Sequence, residues 1–106
     1  MNYKEILENN IRIVKYYGTR KQMTIWIEEM SELTKVICKW NRKYEELEGD
    51  LTPKLLSEFQ EEIADVTICL DQLKYAIGYK EDDLMKEYKF KVERQLKRIE
   101  ENEKKN

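Results

Sequence analysis

From Met23 to Tyr44 the large apolar residues recur at steps of three and four: Met23, Trp26, Met30, Leu33, Ile37, Trp40 and Tyr44. At about 100° per residue this spacing lays them in one stripe along a helix. A second stripe, Leu55, Phe59, Val66, Leu70, Leu73 and Ile77, predicts another long helix. The ends are marked by local chemistry. Thr52 and Pro53 form an N-cap followed by Pro at the first helical position, and Gly78 stops the helix after Ile77. Upstream, Ile6, Ile11, Ile13, Val14 and Tyr17 predict a first helix over about 3–17, ended by Gly18. Thr19 and Gln22 form the T-x-x-Q pattern of a capping box, and the helix they open meets no Pro or Gly before Gly49. A last helix begins near Glu81, loses its apolar residues after Ile99 and is expected to fray over 100–106, "EENEKKN".

These patterns predict an all-α fold: a compact bundle of about four helices, the two longest antiparallel, forming a single domain over 1–106. One Pro, three Gly and an abundance of Leu, Ile, Glu and Lys agree with it. Twenty basic and 22 acidic side chains leave a net charge of −2, which gives no reason to expect a nucleic-acid partner. No apolar run approaches the roughly 20 residues that cross a bilayer, and "MNYKEILENN" is no secretory leader, so no membrane partner and a cytoplasmic location are expected. Cys38 and Cys69 each lie inside an apolar helical pattern and read as small buried hydrophobes. The absence of His excludes Ser-His-Asp and Cys-His catalysis and any metal site built on imidazole. A metal here must be held by carboxylates.

The carboxylates are arranged for it. With Trp26 set at zero, Glu29 falls about 60° and Glu32 about 120° to the same side of the stripe, whereas Glu28 points almost opposite. With Val66 at zero on the next helix, Glu62 lies about 40° and Asp65 about 100° away on the corresponding flank, and Glu61 farther round at about 140°. Antiparallel packing through the two stripes brings Glu29, Glu32, Glu62 and Asp65 to one seam. Taken singly, each segment also reads as a solvated face whose acids pair with nearby lysines. Four clustered carboxylates raise one another's pKa, and a divalent cation relieves the conflict. An oxygen-only ligand set suits Mg²⁺ or Mn²⁺, which complete their shells with water and phosphate oxygens.

"EEMSE" at 28–32 and "EEIAD" at 61–65, about thirty residues apart, resemble the E-E-x-x-E and E-E-x-x-D signature of the MazG-like, all-α nucleoside triphosphate pyrophosphohydrolases. The resemblance extends over about 18–98. It implies Mg²⁺-dependent hydrolysis of a nucleoside triphosphate to the monophosphate and pyrophosphate, with Glu29, Glu32, Glu62 and Asp65 as the catalytic metal ligands. Phosphoryl chemistry suits such a site, because a cation neutralises charge that grows on the phosphate oxygens and acidifies a water.

Proteins similar in this way carry a Lys and an Arg on the last helix. That implies Lys91 and Arg94 as phosphate ligands here, with Lys89 or Arg98 as substitutes. Gln22, on the flank of Glu29, can offer its amide to a base edge, although capping competes for it. Trp26 and Trp40 can stack on a base but are expected in the core, and Lys39 is expected in a surface ion pair. The second helix is apolar over a wide arc, with Ile27 on one side and Ile25 and Val36 on the other, so self-association is expected, and the resemblance implies a homodimer or homotetramer. Two other functions fit the same pattern: a non-catalytic helical interaction protein, and a regulator that binds a nucleotide without cleaving it.

Overall fold

The computed structural model describes residues 1–105 as an all-α bundle of four helices, with no strand among them. They are α1 (Tyr3–Tyr17), α2 (Thr19–Lys43), α3 (Pro53–Ile77) and α4 (Glu81–Lys105). None of the described helices is long and apolar enough to cross a membrane. Helices α2 and α3 run antiparallel: Lys39 near the end of α2 meets Glu58 near the start of α3, and Trp26 near the start of α2 meets Gln72 near the end of α3. Helix α1 packs on both, and its Val14 joins Trp26 and Cys69 in the core.

Several boundaries follow the local signals. The Thr52 hydroxyl accepts from the Leu55 amide at 3.1 Å, Pro53 opens α3, and Gly78 closes it in the left-handed conformation at φ 63°. Two expectations fail for physical reasons. Thr19 is the first helical residue and caps nothing, because Gly18 alone joins α1 to α2: its amide closes α1 on the Val14 carbonyl, and its carbonyl accepts from the Gln22 amide. One residue serves as stop and start, so no separate N-cap fits. Helix α2 also ends at Lys43, well before Gly49. The chain turns there through Glu48 at φ 53° and Gly49 at φ 80°, and the Gly49 amide reaches back to the Tyr44 carbonyl at 2.8 Å. A Cβ on Gly49 would lie 3.0 Å from the Tyr44 hydroxyl.

The last helix departs from expectation in two ways. It continues to Lys105 instead of fraying after Ile99, since Glu100 with Lys104 and Glu101 with Lys105 keep the favourable i,i+4 order; Asn106 lies outside the described residues. It also packs along none of the other three helices and buries no residue. The radius of gyration is accordingly 18.0 Å, against about 13 Å for a globular chain of this length.

The buried apolar set is small: Val14, Trp26, Leu55 and Cys69. Cys38, expected inside, is exposed, because it lies about 120° round α2 from Trp26.

Candidate functional site

Midway along the α2–α3 seam, Glu29, Glu62 and Asp65 each bring a carboxylate oxygen within 4.8 Å of the others. All three side chains are partly buried. The cause is the angular placement of the acids: each lies on the flank of its apolar stripe that turns toward the neighbouring helix. Desolvation, then the charge and hydrogen bonding of Asp65, raise the pKa of Glu29, with Glu62 and Glu32 adding to it. Desolvation also leads for Glu62, followed by the charges of Asp65, Glu32 and Glu61. Behind them the Cys69 thiol is raised by burial and by the charges of Glu29 and Asp65.

One oxygen of this group, Glu62 Oε2, is buried and accepts no hydrogen bond. A buried acceptor without a donor is costly, and a hard divalent cation is the partner that suits an oxygen-only set. The residues therefore fit a cation of the Mg²⁺ class. Glu32 lies outside the close set. It is half exposed and pairs with Lys35 at 3.1 Å, yet its charge still reaches both Glu29 and Glu62. Glu28 and Glu61 are exposed, as their angles predict.

Gln22 is not available to a ligand at the seam. Its side chain is 4 % exposed and its Nε2 donates to Gln72 Oε1 at 3.1 Å. Trp26 Nε1 donates to the same oxygen at 2.8 Å, and Gln72 Nε2 donates to Asn10 Oδ1 at 2.8 Å. Asn10 then donates to the Ile68 carbonyl, so the network ties α1, α2 and α3 together. Asn10 and Gln72 carried no signal in the sequence: a lone amide on a helix flank is indistinguishable from a solvated one until its partners are known.

Trp40 is half-buried against Phe59 and Tyr44, with its Nε1 buried and unpartnered, and Trp26 is in the core, so neither ring is open for stacking. Lys39 pairs with Glu58 at 3.2 Å. Lys91 and Arg94 do not face the seam within one chain, since α4 stands off the other helices; Arg94 lies over the Phe90 ring of its own helix. Set beside known proteins, the chain matches no family model, no curated protein and no solved structure.

Proposed function

We propose that the chain is a nucleoside triphosphate pyrophosphohydrolase that uses Mg²⁺, with Mn²⁺ as a substitute. The observation that carries this reading is the buried Glu62 Oε2, without a donor, inside a set of three carboxylates. Glu29, Glu62 and Asp65 would hold the cation, and Glu32, released from Lys35, would join them. The cation supplies neutralisation of phosphate charge and acidification of a water. The protein's own acids would orient that water, and their negative charge would repel other anions until the cation is bound. Lys91 and Arg94 would serve phosphate from the α4 of a second copy.

The test is a panel of nucleoside triphosphates incubated with protein and Mg²⁺, with products separated by chromatography. Monophosphate and pyrophosphate are expected. Glu62→Gln and Asp65→Asn should lower the rate by roughly 10²-fold or more, since even partners standing behind a metal ligand cost about 10–100-fold. Glu28→Gln should change it little. Orthophosphate as the product, or equal loss in Glu28→Gln and Glu62→Gln, would refute the assignment.

One observation favours a second reading. The cations expected at the phosphate lie on a helix that does not touch the seam, as suits an interaction protein whose metal is structural. A melting temperature raised by Mg²⁺ with no turnover of any nucleotide decides for it.

A further inference from the structure

Helices α1 and α2 are joined by Gly18 alone, whereas nine residues, 44–52, lead from α2 to α3. The first two helices therefore form one body, and the longer link leaves the sliding position of α3 against it open. Apolar burial does not fix that position either. The stripes of α2 and α3 both repeat at steps of three and four, so a slip of one turn sets apolar side chains against apolar side chains again. The choice of register matters to the acids. A slip of one turn carries Glu62 and Asp65 past Glu29 by about 5.4 Å, more than the 4.8 Å within which the three carboxylates now meet.

Among the described residues, the hydrogen bonds between α3 and the first two helices fall in two places. One is the Lys39–Glu58 pair, whose side chains are 38 % and 30 % exposed; a pair so open to water is a weak constraint. The other centres on Gln72, 3 % exposed, which is bonded to both helices of the other body. Its Oε1 accepts from Trp26 Nε1 and Gln22 Nε2, and its Nε2 donates to Asn10 Oδ1. The direction of each bond is fixed by the two ends of the chain of partners. The Ile68 carbonyl can only accept, so Asn10 turns its Nδ2 there at 3.0 Å and its Oδ1 to Gln72. An indole can only donate, so Gln72 turns its oxygen to Trp26. A slip of one turn breaks all of these bonds together and leaves buried amides and an indole without partners, which is costly.

The geometry points to Gln72 as the positioning residue of the acidic seam: its amide holds α3 in the one register that brings Glu62 and Asp65 to Glu29. It stands about two turns of α3 beyond Asp65 and acts through the helices that carry the acids. A single buried polar group sets the register of apolar helices in coiled coils by the same means. The inference rests on the cation reading of Glu29, Glu62 and Asp65, and its test needs no nucleotide.

The experiment measures Mn²⁺ binding from the paramagnetic signal of the free ion, on whole-chain variants held at a temperature where each keeps its full helical circular dichroism. Gln72→Met, which keeps the length of the side chain and removes both polar ends, should weaken binding roughly 10-fold or more, as loss of groups that orient metal ligands does. Leu55→Val, in the core at the other end of α3, should lower the melting temperature and leave Mn²⁺ affinity unchanged, because it thins the packing without touching the network. Trp26→Phe removes the donor from the same bond, so combined with Gln72→Met it should weaken binding no further than Gln72→Met does alone. A wild-type chain that binds no Mn²⁺ overturns the cation reading and this inference with it. A wild-type chain that binds, beside a Gln72→Met that binds as tightly, a Leu55→Val that loses as much or a double variant whose losses add, overturns the inference alone. Should Gln72→Met fail to fold, Trp26→Phe is read in its place: weakened binding supports the role of the network in register, and wild-type affinity overturns it.

Discussion

Glu62 combines two properties that are rarely left together: a raised pKa and a buried oxygen with no donor. Its cost to the folded state depends on pH, and the sign follows from the direction of the shift. Glu29 and Glu62 both hold their protons more tightly in the folded chain than in the unfolded one. Near neutral pH both states are ionised and the folded state carries the whole penalty. As pH falls through the raised values the folded chain takes up protons first and gains stability, and the gain is complete below the ordinary carboxylate value of about 4.3. Without metal, the wild-type chain should therefore gain more melting temperature between neutral and mildly acidic buffer than Glu62→Gln does. Identical pH dependence in the two proteins would show that Glu62 is not under strain. The flank that carries these acids was legible in the sequence, because helical rotation alone places Glu29, Glu62 and Asp65 beside the apolar stripes. The role of Gln22 was not, since its partner Gln72 lies fifty positions on and nothing local distinguishes an amide that will be buried.

At the level of elements, the chain contains two threonines in similar sequence settings with opposite outcomes. Thr52 caps α3 through its hydroxyl, whereas Thr19 has been drawn into the first turn of α2 by the one-residue link at Gly18. Thr52→Ala should destabilise the fold by about 1 kcal/mol, whereas Thr19→Ala should fall within about 0.5 kcal/mol of the wild type. Chemical denaturation of both variants measures the difference, and equal losses would mean that the capping bond at Thr52 contributes nothing net. Helix existence and the ends at Pro53, Gly78 and Glu81 were readable because each depends on residues a few positions apart. The early end of α2 was not, because it depends on a turn built by Glu48, Gly49 and the Tyr44 carbonyl acting together. For α4 the sequence showed an apolar stripe but could not show whose surface it meets.

For the molecule as a whole, the shortness of its links has a consequence for how it comes to be folded. A single glycine separates α1 from α2, and nine residues, 44–52, separate α2 from α3. Neighbouring helices therefore find each other with little loop-closure entropy, and helical proteins dominated by such local contacts fold in microseconds to milliseconds. Any association with a second copy would be slower: at about 10⁶ M⁻¹s⁻¹ and micromolar protein it would take on the order of a second. In the single collapsed chain the exposed apolar residues of α2 and α3, such as Ile27 and Ile77, are open to any apolar surface. Refolding followed by tryptophan fluorescence, to which Trp26 and Trp40 both contribute, should show a fast phase independent of concentration, and any association with a second copy would add a slow phase whose rate rises with concentration. A slow phase indifferent to concentration would mean that these apolar residues are covered within one chain. Where the slow phase does depend on concentration, the yield of native protein should fall as refolding is made more crowded, because misdirected pairing draws on the same exposed apolar residues as the correct partner.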